Sequence, residues 1–132
     1  MTNVVIVCGS ESDFSFAEQI KNPLEAENVS VELLAASAHK EAPKGLEIIK
    51  KFGKNPKTIF VTVAGRSNAL SGFFAGNSNN IVIACPPFKS LDDYNTDIHS
   101  TLRMPSSTPV LTILDPKNCA LAIMRILKSQ TS

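Results

Sequence analysis

The sequence predicts an α/β fold, a flavodoxin-like three-layer sandwich built on a five-stranded parallel sheet. Three observations carry that expectation. Five short apolar or β-branched runs, residues 4–8, 29–36, 58–63, 81–84 and 110–114, have the composition of strands covered on both faces. Stretches with helical spacing or capping residues separate them, and the connections are short, which implies parallel strands with helices on both faces of the sheet. At 132 residues the chain fits one domain, 1–132, with a real core. No repeat, low-complexity segment or linker divides it.

The elements follow in order. The first run, Val4–Cys8, ends at Gly9 and reads as β1. Ser12 or Asp13 is placed to cap a helix with Phe14, Ala17 and Ile20 on one face, and Pro23 is expected to end or kink it. The second strand is followed by Pro43, which marks the first turn of a helix whose expected face is Leu46, Ile49 and Phe52. Gly53 and Pro56 punctuate the way to the third strand. Residues 68–75 give a weaker helical pattern, the fourth strand stops at Pro86-Pro87, and 92–102 is a mainly polar helix. After the fifth strand, Asp115-Pro116 supplies an N-cap and an N1 proline for a helix with Ala120, Ile123, Met124 and Leu127 on one face.

Thirteen basic and twelve acidic residues leave a net charge of +1, with no basic block or aromatic-interleaved stripe. Nucleic acid and anionic membrane are therefore poor expectations, whereas a small anionic ligand needs only a local positive site. The opening apolar run is too short for a signal peptide and nothing resembles a spanning helix, so a cytoplasmic protein is expected. Cys8, Cys85 and Cys119 lie far apart and suit packed, reduced thiols, and with only His39 and His99 beside them no metal cluster can be proposed.

In such a sheet, ligands bind at the carboxyl ends of the strands, where three polar loops should converge. Gly9-Ser10-Glu11-Ser12-Asp13 puts hydroxyls and free N–H groups at a helix start, a fit place for phosphate, although Ser and Asp are equally the commonest caps. One glycine matches neither a dinucleotide fingerprint nor a P-loop. Ser37-Ala38-His39-Lys40 brings a histidine able to exchange a proton near neutral pH and a lysine able to pair with an anion; a solvent-facing loop would look the same. Ala64-Gly65-Arg66-Ser67-Asn68-Ala69-Leu70 adds donors on a loop whose glycine permits close backbone approach. Arg66 and Arg103 fit loop-fixing roles equally well, and His99, within a polar helix, reads as surface.

These loops, with Cys85-Pro86-Pro87 and Ser100-Thr101-Leu102-Arg103-Met104-Pro105-Ser106, in this order along nearly the whole chain, resemble the PurE-type phosphoribosylaminoimidazole carboxylases of purine biosynthesis. Within that family the sequence resembles the second class, which carboxylates 5-aminoimidazole ribonucleotide (AIR) directly with carbon dioxide, rather than the first, which rearranges the N5-carboxy compound. First-class members typically show Ser-Ala-His-Arg and Gly-Gly-Ala-Ala-His-Leu-Pro-Gly; here Lys40 and Arg66-Ser67-Asn68 differ, and Ala69 stands where that class has a second histidine. The resemblance implies that Ser10, Ser12, Asp13 and Ser37 hold the ribose phosphate and that His39 moves the proton. It implies further that Lys40, with the Ser67 to Ala69 loop, frames the carbon dioxide, and that Gly65 and Arg66 also bind substrate. It implies no cofactor and no metal, and a homo-oligomer, tetramer or octamer, with sites built between subunits. Ser107 replaces a glycine common in relatives, so a different backbone is expected there, and with the sequence ending at Ser132 part of the assembly surface is expected to be missing. The competing readings are an N5-carboxy mutase, a nucleotide-binding relative without turnover, and a flavin carrier. A phosphoacceptor receiver is disfavoured because β3 ends in Val63-Ala64 rather than an aspartate.

Overall fold

The computed structural model describes residues 2–131; Met1 and Ser132, the ends of the expected domain, lie outside the described residues. Five strands, β1 (Val4–Cys8), β2 (Val31–Ala35), β3 (Ile59–Val63), β4 (Val82–Ala84) and β5 (Leu111–Thr112), form one sheet in the order β2-β1-β3-β4-β5. Every pairing is parallel, with Val4 opposite both Val31 and Ile59. The helices are α1 (Phe14–Ala26), α2 (Ala42–Phe52), α3 (Leu70–Asn77), α4 (Leu91–Leu102) and α5 (Pro116–Ser129). This is the flavodoxin-like sandwich that the alternation of runs predicts.

Strand periodicity sorts the core into two layers. Val4, Ile6 and Cys8 of β1 and Ile59, Val61 and Val63 of β3 pack against Ala17, Ile20 and Leu24 of α1 and Cys119, Ala120 and Ile123 of α5. Val5, Val7 and Phe60, on the opposite face, pack against Ile48 and Ile49 of α2 and Leu70, Phe74 and Ala75 of α3. Both central strands are buried at every position, and each fully buried Val, Ile or Phe contributes about 1.5–3 kcal/mol. They make the rigid platform from which the loops project.

Several expectations need correction. Pro23 neither ends nor visibly interrupts α1, which runs on to Ala26; Ile20 and Leu24, on either side of it, are wholly buried and hold the helix together. The inward face of α2 is Gly45, Ile48 and Ile49, whereas Leu46 is exposed. Gly45 marks a close approach, because a Cβ there would lie 2.8 Å from the Phe73 ring of α3. The fifth strand shrinks to Leu111–Thr112 because it has only the three-residue β4 as partner, which leaves Leu111 and Leu114 exposed at the sheet edge. Asp115 caps α5 as expected, accepting the N–H of Asn118 at 3.0 Å. Among the described residues no helix is long and apolar enough to cross a membrane.

Candidate active site

The strand order reverses between β1 and β3, and the two strand ends are tied there by the Gly9 N–H bonding the Val63 carbonyl at 2.9 Å. A cleft of about 1100 Å³ opens over this point, where a doubly wound sheet places its ligand. Its floor and near walls come from the three predicted loops, through Ser12, Asp13, Ser37, His39, Gly65, Arg66, Ser67 and Ala69.

Each loop has a local reason for its shape. After β1 the chain makes a single 3₁₀ turn, Glu11–Asp13, before α1 begins, so neither Ser12 nor Asp13 acts as the side-chain cap expected of them. Ser10 and Ser12 instead hydrogen-bond each other through their hydroxyls, and Ser12 faces the cleft while Ser10 does not line it. Asp13 is partly buried, which pushes its carboxyl above the ordinary range, with Lys89 opposing the shift. After β2, Ser37 and Glu41 close a tight turn: the Ser37 N–H donates to Glu41 Oε1 at 3.2 Å, and Ser37 Oγ accepts the Lys40 N–H at 3.1 Å. His39 stands exposed on that turn, over the cleft; Lys40, also exposed, does not line it.

The loop after β3 turns on Arg66, whose φ of 49° lies in the left-handed region. Arg66 and Ser67 are exposed to the cleft, and neither Arg66 nor Arg103 pairs with a carboxylate among the described residues, where the ion pair is Lys21–Glu25 at 3.4 Å. Asn68 is turned away. It is 4 % exposed and its side chain is fully engaged, Nδ2 donating to Ser71 Oγ and Thr101 Oγ1 and Oδ1 accepting the N–H groups of Leu70 and Ser71. Its contribution is to the loop's shape.

Sequence reasoning missed the far wall. It comes from the β4–α4 connection and from α4: Lys89, Asp92, Asp93, Thr96, Asp97, His99 and Ser100 all face the cleft. His99, expected as plain surface, is exposed but on this side. Phe88 packs edge-on against Tyr94 at 5.5 Å, which pins the connection carrying Lys89 to the helix. The one available signal was Ser90-Leu91-Asp92-Asp93, a capped acidic helix start, and Ser90 Oγ does accept the Asp93 N–H at 3.1 Å. Nothing in that pattern tells which way the helix faces. Among the described residues no group of three His, Cys, Asp or Glu side chains is disposed to hold a metal.

Beyond geometry, a model of the AIR carboxylase family matches residues 3–132. The chain belongs to the AIR carboxylase family. It is similar to the phosphoribosylaminoimidazole carboxylase of Archaeoglobus fulgidus, 44% identical over 92% of this chain and 67% of that one. Its similarity to the Treponema denticola carboxylase is 42% over 93% and 77% of the two chains. In the longer bifunctional carboxylase/succinocarboxamide synthetase of Drosophila melanogaster, the match is 41% over 94% of this chain and 29% of that protein. Among AIR carboxylase structures, crystalline Treponema denticola PurE superposes with a TM-score of 0.88 at 37% identity, covering 96% of this chain and 80% of that one.

Proposed function

We propose that this chain carboxylates AIR at C4 with carbon dioxide itself, as a step of purine biosynthesis, with His39 as the group that moves the proton. The observation that carries the reading is that the motif-bearing loops after β1, β2 and β3 meet in one cleft of a chain matched to the AIR carboxylase family over residues 3–132.

The chemistry needs little else. The aminoimidazole is an enamine: its C4 electron pair forms the new bond to the carbon of carbon dioxide, and the displaced C=O pair becomes the carboxylate. The proton on C4 then passes to the imidazole of His39, and the released pair restores the aromatic ring. The developing carboxylate needs N–H donors and a cation fixed beforehand, which the Gly65 to Ala69 loop supplies with the Arg66 guanidinium. Lys40, neighbour of His39 on the rim, adds charge there.

On the same reading Ser12 and Ser37, supported by Ser10, hold the phosphate near the 3₁₀ turn, and Asp13 accepts from a ribose hydroxyl. The three carboxylates of the α4 wall, Asp92, Asp93 and Asp97, repel phosphate and so orient it toward the loops of β1 and β2. The second-class assignment is supported by Arg66, which takes a left-handed backbone at the position where first-class members carry glycine, and by Ala69 in place of their second histidine. The residues 1–132 are read as one catalytic domain, acting in the cytoplasm as a homo-oligomer.

His39→Asn tests the reading. Carboxylation of AIR in bicarbonate buffer should fall by about 10²–10⁴-fold while the variant still binds the ribonucleotide. A variant that keeps full activity would remove His39 from the chemistry.

A further inference from the structure

The left-handed backbone at Arg66 persists in a residue with a side chain only where its surroundings hold it. What holds it comes from another element. Ser100, on α4, places its Oγ 3.1 Å from the Arg66 carbonyl oxygen and accepts the Asn68 N–H at 2.9 Å. The hydroxyl's single proton faces two acceptors, Arg66 and the Asp97 carbonyl at 3.0 Å, and its lone pairs serve the Asn68 N–H. One side chain thus brackets Ser67 from both ends, through the Arg66 carbonyl before it and the Asn68 N–H after it. Its neighbour Thr101 completes the tie, since Thr101 Oγ1 accepts from the buried Asn68 amide at 3.0 Å. The far wall of the cleft is stapled to the loop after β3 by two consecutive hydroxyls.

We infer that Ser100 is a positioning residue for carbon dioxide capture: it fixes the backbone at Arg66 and Ser67, where the new carboxylate forms. This rests on the reading of the cleft given above. Carbon dioxide is small and uncharged, so its capture depends on donors set in place before it arrives, whereas the ribonucleotide is held by the loops of β1 and β2, while the hydrogen bonds of Ser100 go to Arg66, Asn68 and Asp97. Losing the hydroxyl frees Arg66 to relax toward negative φ and re-aims the donors beside it. The cost therefore falls on carbon dioxide rather than on AIR.

The test compares Ser100→Ala with Ser100→Thr, which keeps the hydroxyl. Carboxylation is followed at varied carbon dioxide with saturating AIR and the reverse, together with hydrogen exchange at the Asn68 amide. The expected result for Ser100→Ala is a KM for carbon dioxide raised by about ten- to a hundredfold, a KM for AIR unchanged, and faster exchange at Asn68, with Ser100→Thr restoring all three towards wild type. If Ser100→Ala does not fold, Ser100→Cys, whose thiol is a poor acceptor, replaces it and should show the same split. A KM for carbon dioxide like wild type, an equal rise in both KM values, or a Thr variant as impaired as Ala would each overturn the assignment. A wild-type protein inert toward AIR and carbon dioxide overturns the functional reading and this assignment with it; an active wild type with an unaffected Ser100→Ala overturns this assignment alone.

Discussion

Ser107 keeps a glycine-like conformation without being glycine. Its φ is 66°, in the left-handed region that favours glycine. A side chain there costs about 1 kcal/mol, and Ser107→Gly should raise stability by about that much in a denaturant melt. Asp13 carries a cost of another kind. Burial raises its carboxyl above 3.8, so the folded state binds the proton more tightly than the unfolded chain. Nothing is lost below the unfolded value; as pH climbs past it and through the raised value, the ionised group disfavours the fold. Asp13→Asn should therefore melt higher than wild type near neutral pH, lose that advantage in acid, and have weakened activity at both. A constant difference across pH would contradict the assignment. At this scale the sequence placed His39 and Arg66 on loops that do line the cleft, while leaving open whether either was more than a solvent-facing or loop-fixing side chain. Asn68 was not legible even to that extent, because its place on a polar loop gives no sign that packing turns it inward among the hydroxyls of Ser71 and Thr101.

The helices and strands obey their periodicity where burial is two-sided and depart from it at the margins. β1 and β3 could be read to within a residue because each is apolar throughout. β5 could not, since an edge strand is set by its partner's length, and β4 offers only three residues. The α2 face came out displaced because Gly45, mute in a hydrophobic pattern, is the point nearest Phe73. One central position conflicts with its setting: Thr62 is wholly buried on β3 and its hydroxyl has no hydrogen-bond partner among the described residues. Replacing it with the isosteric valine removes an unsatisfied polar group, so Thr62→Val should stabilise by about 1 kcal/mol and raise Tm by about 3–5 °C. A lower Tm would mean that the hydroxyl has a partner in the folded protein. The polar helix α4 was the least legible element and supplies a whole wall of the cleft; the charges that make it look like surface are the ones that face the cleft.

Across the molecule, the sheet positions the loops that line the cleft. The topology followed from the alternation of runs, and the meeting of the first three loops followed from the topology. What closes the cleft required the packing of α4. The cysteines sit behind this arrangement as core. Burial, with Asp13 nearby, raises the Cys8 thiol to about 12, and a hydrogen bond with Cys119 together with burial raises Cys85 strongly. Because the thiolate is the reactive form, a thiol reagent should modify none of the three in the native protein and all three after unfolding; rapid native labelling would contradict the packing.

The measurement closest to the central claim offers the purified protein AIR with bicarbonate as a source of carbon dioxide and, separately, the N5-carboxy compound with bicarbonate excluded, and follows the C4 carboxylate in each. Formation from AIR and carbon dioxide alone is the predicted result. Formation only from the N5-carboxy compound would make the protein a mutase and contradict the account.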